Sequence, residues 1–148
     1  MLSQEILDLY KKSRLMTYRA MFGRIREKTG SLSATEAYAV DVIYLLGSPT
    51  ITQLAETLGI SQPNATYKVN SLVKKGYIQK KQSQEDQREY HLEVTQKYLD
   101  YYSISVTYMV EVMNRISRRF SSEECAKLEE MLRIVSKELM PEVTLPNP

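Results

Sequence analysis

The sequence contains one cysteine, one histidine and no long apolar run, and each shortage excludes a class of protein. The single cysteine, Cys125, cannot form an intramolecular disulfide, which is typical of proteins in a reducing cytoplasm. No stretch approaches the roughly 18 consecutive apolar residues of a membrane-spanning helix. Residues 1–12 include acids and lack the uninterrupted apolar core of a signal peptide. We therefore expect a cytoplasmic protein without a membrane partner.

Patterns typical of enzymes and of metal sites are also lacking. The chain has no Gly-rich phosphate-binding loop and no nucleophile with an evident base. Its only histidine, His91, has no second histidine or cysteine nearby in the sequence to complete a metal site. We expect neither an enzyme nor a cofactor or metal, and we assign His91 to packing or to the surface.

What the chain does have is an uneven distribution of charge within the length of one domain. Its 148 residues carry a formal net charge of only +2. Residues 61–81, however, contain five lysines and no acid, and residues 1–30 contain seven bases against three acids. Two basic segments in a near-neutral chain indicate a surface that faces a polyanion. For residues 1–30 a solvated helix face is an equal alternative.

Capping residues and apolar spacing predict six helices and one hairpin. The first helix covers residues 2–28. The other five begin at capping residues, namely Ser33, Thr50, Ser61, Thr95 and Ser121. Glycines 59 and 76 end the third and fourth helices. Residues 77–81 and 88–94 are strand-like and are joined by a polar loop.

The fifth and sixth helices carry apolar residues at alternating steps of three and four, which is the pattern of a coiled-coil seam. The seam residues are Leu99, Tyr102, Val106, Met109, Met113, Ile116 and Phe120 on the fifth helix, and Cys125, Leu128, Leu132, Val135 and Leu139 on the sixth. Because one short chain cannot cover so long a seam, we expect a homodimer formed by residues 1–30 and 100–140, with residues 141–148 as a frayed tail. A buried seam position also disfavours a redox role for Cys125.

The third and fourth helices are joined by the sequence LGIS, and two short helices so joined are typical of a helix-turn-helix, whose second helix enters the major groove of DNA. The hairpin that follows is then a wing. We expect Arg88 in its loop to enter the minor groove, with the Asp86 carboxylate holding the guanidinium by charge-assisted hydrogen bonds. The predicted fold class is mainly α with a small β-wing: a winged helix-turn-helix domain over residues 32–98 plus the helical dimerisation region, in a single-domain chain of residues 1–148.

Resemblance to a known family rests on two motifs, ITQLAETLGISQPNATYKVNSLVKKGYI and DQREYHLEVT. Together they are similar to the MarR family of winged helix-turn-helix transcriptional regulators over residues 32–99. The resemblance implies an obligate dimer, a palindromic operator and often a small ligand bound between the DNA-binding and dimer regions. Three residues depart from the family's usual pattern: Tyr67 and Gln87 stand where arginines are common, and Tyr98 stands where a glycine is usual. The last departure predicts different packing at the start of the fifth helix.

The predicted DNA contacts lie on the outward face of the fourth helix and in the wing. Ala65, Val69, Leu72 and Val73 are assigned to the inward stripe of that helix. Asparagine and glutamine amides can read adenine, and lysine can reach guanine or a phosphate. A solvated face is the alternative. The predicted DNA-binding residues are Ser61, Gln62, Asn64, Thr66, Tyr67, Lys68, Ser71, Lys75, Lys80, Asp86 and Arg88.

Tyrosine and methionine are frequent, with 11 and 7 residues, and several fall on helices that would frame a ligand cavity of the family type. Such side chains suit an apolar or aromatic ligand, although plain core and dimer packing is the alternative. The candidate ligand-binding residues are Met16, Tyr18, Met21, Tyr38, Tyr44, Tyr101, Tyr102 and Met109.

Together these patterns predict a sequence-specific transcriptional regulator, a repressor, that binds a palindromic operator in double-stranded DNA as a homodimer and responds to a small-molecule effector. The alternative is a winged helix that binds proteins and does not read DNA. The acid-free run of residues 61–81 disfavours that alternative, because protein-binding surfaces are depleted in lysine.

Overall fold

The computed structural model describes residues 1–25 and 32–146, with the backbone alone described at 23–25 and 102–106. Its elements in chain order are α1 (Leu2–Ile25), α2 (Ala34–Leu46), α3 (Ile51–Leu58), α4 (Gln62–Lys74), β1 (Ile78–Gln82), β2 (Tyr90–Val94), α5 (Gln96–Arg119) and α6 (Ser122–Glu138). The mainly α fold with a small β-wing is thereby confirmed. The predicted end of the first helix, at residues 26–28, lies outside the described residues. None of the described helices is both long enough and apolar enough to cross a membrane.

The chain forms two compact units, Met1–Ser105 and Val106–Pro148. The core of the first unit draws on α2, α3, α4 and β2. Ile43, Leu54, Leu72 and Leu92, one from each of these elements, are completely buried. Burial of each such side chain contributes roughly 1.5–3 kcal/mol, so these helices and the wing are held together by one apolar core.

Capping boxes begin three helices at the residues that the sequence predicts. Ser33, Thr50 and Ser121 each form a capping box, in which the hydroxyl accepts a backbone N–H three residues on and that residue's side chain accepts the N–H of the cap. Thr95 behaves differently from the prediction. Its hydroxyl donates to the Gly76 carbonyl and so joins the start of α5 to the end of α4.

The wing is a two-stranded antiparallel sheet in which Ile78 lies opposite Val94. The segment before α3 pairs with the other side of β2, because the Leu92 amide donates to the Pro49 carbonyl at 2.8 Å and Thr50 forms a β-bridge with the strand. β2 therefore lies between two backbone partners, and β1 is the outer strand of the wing.

In the second unit, apolar seam residues are exposed in the single chain. Met113 and Phe120 on α5 and Leu132 on α6 are 46–58 % exposed. Cys125, which the sequence places on a buried seam, is half-buried, and its thiol lies 3.9 Å from the Phe120 carbonyl. These exposed seam residues give α5 and α6 an apolar surface that a single chain leaves open to solvent. The side chains of Tyr102 and Val106, which the sequence also assigns to the seam, lie outside the described residues.

Candidate nucleic-acid interface

A tight turn connects α3 to α4. Gly59 ends α3 in the left-handed conformation, with φ at 64°, which residues with a Cβ rarely adopt. Ser61 then begins α4, because its Oγ accepts the Asn64 amide at 3.3 Å. The predicted cap is confirmed, and α4 starts at a defined position after α3.

One face of α4 is buried and the opposite face is left to solvent. Ala65, Val69 and Leu72 are completely buried, as the apolar spacing predicts. The prediction for Val73 is wrong, since its side chain is 38 % exposed. An α-helix turns about 100° per residue, so the residue after Leu72 points away from the buried stripe.

The exposed face of α4 carries side chains that can reach a base edge. Gln62, Asn64 and Tyr67 are exposed, Tyr67 at 75 %, and Lys68 is half-buried. Thr66 is half-buried and its hydroxyl donates to the Gln62 carbonyl at 2.9 Å. Amides can read adenine and lysine can bind guanine or phosphate, so this face has the chemistry needed to read DNA.

A glutamate on α2 holds the C-terminal end of α4. The Glu36 carboxylate accepts the Ser71 hydroxyl, the Lys75 ammonium at 2.7 Å and the Ser33 amide at 2.8 Å. These four residues are called the Glu36 cluster below. Ser71 and Lys75, which the sequence assigns to the DNA face, therefore contact α2 in the chain without DNA.

The Glu36 cluster is charged and almost buried, because Glu36 is only 8 % exposed. Burial raises the pKa of Glu36, but the hydrogen bonds from Lys75, Ser71 and the Ser33 amide outweigh burial and lower the pKa to about 2. Each carboxylate oxygen has a donor, and removal of one partner from such a group costs about 1–3 kcal/mol. The cluster thus fixes the C-terminal end of α4 against α2.

The wing loop, residues 83–89, is closed by its own hydrogen bonds. The Ser83 amide donates to the Glu89 carbonyl at 2.8 Å, and the Gln82 side chain donates to the Gln87 carbonyl at 2.6 Å. These bonds draw the two ends of the loop together and give it a defined shape.

Asp86 supports the loop through a contact that differs from the predicted one. Its Oδ1 accepts the backbone amide of Arg88 at 2.9 Å, which is an Asx turn. The Arg88 side chain is exposed, and within residues 1–25 and 32–146 no ion pair involves its guanidinium. The Asp86 carboxylate therefore binds the backbone of Arg88 instead of the guanidinium. The turn sets where the Arg88 side chain leaves the loop.

Two exposed lysines lie on β1. The Lys80 ammonium donates to Asn70 Oδ1 at 2.9 Å and so joins the wing to α4. The Lys81 ammonium lies 3.5 Å from the Glu93 carboxylate across the hairpin, and an exposed pair of this kind contributes little stability. Positive charge on the wing is thus placed beside the helix that the sequence predicts to read DNA.

Tyr98 occupies the centre of a tyrosine cluster at the start of α5. Its ring centroid lies 5.6 Å from that of Tyr44 and 6.1 Å from that of Tyr101, which in turn lies 5.8 Å from that of Tyr77. The buried Tyr98 hydroxyl donates to Asp41 Oδ1 at 3.0 Å. A glycine at this position would provide none of these contacts.

The candidate ligand-binding residues occupy different environments. They are Tyr44 and Tyr101 in the tyrosine cluster, Met21 in the core, Met16 and Tyr18 half-buried on α1, and Tyr38 exposed on α2. Met109, in the second unit, is exposed. The Tyr102 side chain lies outside the described residues.

His91 joins β2 to the segment before α3. Its Nδ1 donates to the Ser48 carbonyl at 2.8 Å, and its Nε2 lies 3.8 Å from the Glu89 carboxylate. The side chain is half-buried, in agreement with its assignment to packing. In the part of the chain that the structure describes, no three His, Cys, Asp or Glu side chains are grouped to hold a metal ion.

Sequence reasoning missed the structural roles of Glu36, Asp41 and Asn70. Glu36 stands three residues after Ser33, so the capping box alone accounts for it in the sequence. Its place beside the apolar run of residues 37–40 is the one local signal that its carboxylate is turned inward. The partners of Asp41 and Asn70 are distant in sequence, and no local pattern indicates them.

The sequence of the chain was compared with protein families and with curated proteins. Residues 32–90 match the model of the MarR family, which confirms the resemblance over that segment. No curated protein matches the chain in sequence.

Several solved structures share the fold at low sequence identity. Streptococcus pneumoniae FabT, solved in complex with DNA, is 20 % identical, with a TM-score of 0.60 over 96 % of this chain and 97 % of that one. The transcriptional regulator Tm0710 from Thermotoga maritima is 17 % identical, with a TM-score of 0.62 over 91 % of each chain. A MepR mutant from a multidrug-resistant S. aureus isolate is 13 % identical, with a TM-score of 0.64 over 95 % of this chain and 98 % of that one. At these identities the likeness is one of fold.

Proposed function

From the match of residues 32–90 to the model of the MarR family, we propose that the protein is a DNA-binding transcriptional regulator. It binds double-stranded DNA as a homodimer, reads a palindromic operator and acts as a repressor. In this proposal α4 lies in the major groove and the wing reaches the adjacent minor groove.

The exposed face of α4 is the observation that carries the proposal. Gln62 and Asn64 present amides to solvent from a helix whose opposite face is buried. Residues 61–81 contain no acid, so no carboxylate of this segment opposes the approach of a phosphate backbone. Amides that read bases, together with Lys68 and Lys80 for phosphates, supply the two kinds of contact that sequence-specific binding requires.

The wing supports a second contact with DNA. The Asx turn at Asp86 sets the backbone of Arg88, and the guanidinium is exposed. A narrow minor groove has an enhanced negative potential that attracts arginine. Arg88 therefore contributes affinity, and preference for a narrow groove, at the edge of each half-site.

Ser71 and Lys75 have a supporting role in this proposal. Because both side chains bind Glu36, their contribution is to orient α4 on α2, and a direct contact with DNA would require this cluster to rearrange. Exposed Gln62 and Asn64, near the N-terminal end of α4, need no such rearrangement.

Exposed apolar side chains support the homodimer. Ile6, Leu9 and Phe22 on α1, Leu132 on α6 and Leu139 directly after α6 are each more than half exposed in the single chain. Monomeric soluble proteins rarely leave large apolar surfaces in water. A two-fold pairing that covers them would present two α4 helices to half-sites whose centres are about 10 base pairs apart.

A small apolar or aromatic effector completes the proposal. Met16, Tyr18 and Tyr38 support it best, because among the described candidates of the first unit they belong neither to the core nor to the tyrosine cluster. Their flexible or amphipathic side chains suit such a ligand.

Selection of bound duplexes from random DNA by the purified full chain tests the proposal. The expected result is an enriched inverted repeat with half-site centres about 10 base pairs apart, bound by two chains per duplex. If a folded chain enriches no sequence, DNA reading is refuted and the protein-binding winged helix becomes the better interpretation.

A further inference from the structure

The exposed face of α4 includes an apolar patch that the proposed contacts of amides and lysines leave unused. A shallow concave surface of this helix is lined by Gln62, Pro63, Thr66, Tyr67 and Asn70, and most of the lining is apolar. We call Pro63, Thr66 and Tyr67 the α4 patch. Tyr67 is its most prominent member, because 75 % of its side chain is exposed.

Two of the three residues of the α4 patch, Pro63 and Thr66, have no polar side-chain group left to offer a base. The Thr66 hydroxyl already donates to the Gln62 carbonyl at 2.9 Å, which leaves the methyl group of Thr66 for contact with a ligand. Pro63 has a wholly apolar side chain and no backbone N–H. The ring of Tyr67 adds a large apolar surface beside them, so the patch suits an apolar group.

In the major groove, one base carries such a group. Thymine presents its C5-methyl there, whereas guanine, cytosine and adenine present hydrogen-bond donors and acceptors. Apolar side chains on a recognition helix discriminate thymine through contact with this methyl group. An apolar patch between two amide side chains therefore matches an A·T base pair better than a G·C pair.

We propose that the α4 patch reads a thymine methyl group in each half-site and that Tyr67 supplies most of this contact. The inference rests on the proposed function, because it requires α4 to lie in the major groove. Gln62, whose amide lines the same concavity, is placed to bind N6 and N7 of adenine in the same or the next base pair. Tyr67 is thus a specificity-determining residue.

The test replaces the thymines of the selected operator by deoxyuridine, which lacks only the methyl group, one symmetric pair at a time. For one symmetric pair of thymines, the replacement should weaken binding by the wild-type protein about 15-fold. This factor is the product of about fourfold for each half-site, as expected when one methyl group per half-site is no longer buried. Replacements at the other thymines should leave the Kd unchanged.

Three variants assign the effect to a side chain. Tyr67→Ala should bind the thymine and deoxyuridine operators equally, whereas Tyr67→Phe, which keeps the ring, should retain the preference for thymine. Val73→Ala is the matched control, because Val73 is an exposed apolar residue of α4 outside the patch. It should discriminate as the wild type does. Thermal unfolding confirms that each variant is folded.

Several outcomes would overturn the inference. Equal binding of every deoxyuridine duplex by the wild type would do so while leaving operator binding intact. Discrimination that survives Tyr67→Ala would also do so. If Tyr67→Phe loses as much of the preference for thymine as Tyr67→Ala does, the contact belongs to the Tyr67 hydroxyl, for instance with a phosphate, and the methyl contact is excluded. Failure to select any operator refutes the proposed function itself, and is distinguishable from all three.

Discussion

Replacement of Glu36 by glutamine should reveal how much the Glu36 cluster stabilises the fold. In the folded chain the hydrogen bonds of the cluster outweigh burial and lower the pKa of Glu36 from its ordinary value of 4.5 to about 2. At about 1.36 kcal/mol per pKa unit, this difference corresponds to about 3 kcal/mol of stability at neutral pH. Glutamine keeps the shape of the side chain but carries no charge and does not titrate.

The pH dependence has a defined sign. Because the pKa is lower in the folded chain than in the unfolded chain, the ionised carboxylate favours folding. Its contribution is fully present above about pH 4.5, and it is lost as the pH falls through about 2. Between pH 7 and pH 3 the loss should amount to about 2 kcal/mol, and the difference in unfolding free energy between the wild type and Glu36→Gln should shrink by that amount.

Urea unfolding of both proteins at pH 7, 4 and 3 measures this difference, at one fixed protein concentration because the stability of a dimer depends on concentration. Glu56→Gln is the control, since Glu56 is an exposed glutamate on α3, and its effect should stay within about 0.5 kcal/mol at each pH. A Glu36→Gln difference that is the same at pH 7 and pH 3 would refute the reasoning.

Four further predictions concern the wing, the tyrosine cluster and the ionic contacts. Arg88→Ala should weaken operator binding by about 1–3 kcal/mol with an unchanged Tm, whereas Gln87→Ala in the same loop should bind as the wild type does; equal binding by both would exclude the wing as a DNA reader. Asp86→Ala should lose about 0.5–1.5 kcal/mol of binding by releasing the Asx turn, and a loss larger than that of Arg88→Ala would contradict this role. Tyr98→Phe should lower the free energy of unfolding by about 1 kcal/mol through loss of the bond to Asp41, and an unchanged urea midpoint would count against it. A plot of log Kd against log salt concentration should have a slope of magnitude about 5 if each subunit makes about three phosphate contacts, and a magnitude below about 2 would contradict the placement of the basic surface.

Local signals in the sequence predict the elements of the fold well. The capping residues Ser33, Thr50, Ser61 and Ser121 each begin a helix where expected, because a cap is decided by residues within one turn. The burial of Ala65, Val69 and Leu72 likewise follows from helical period alone. These features need no knowledge of the rest of the chain.

The interactions that position the candidate site are less predictable because their partners are distant in sequence. Glu36 lies 35 residues from Ser71 and 39 from Lys75, and a lysine on an exposed-looking helix face gives no sign of a buried carboxylate partner. The Asp86 contact was missed for another reason. Two charges at this spacing indicate an ion pair as readily as an Asx turn, and only the loop backbone decides between them.

The position of β1 at the outer side of the wing has a consequence for assembly. β1 pairs with β2 along one side, and among the described residues no strand covers its other side. The uncovered backbone groups of such an edge can pair with a strand from another molecule, which leads to aggregation. After Ile78 the strand contains only glutamine and lysine, and to bury Lys80 or Lys81 against a second chain would cost their hydration. The positive charge that is proposed to attract DNA therefore also prevents β1 from pairing with a strand of another molecule. Exchange of Lys80 and Lys81 for apolar residues should both weaken DNA binding and make the protein aggregate.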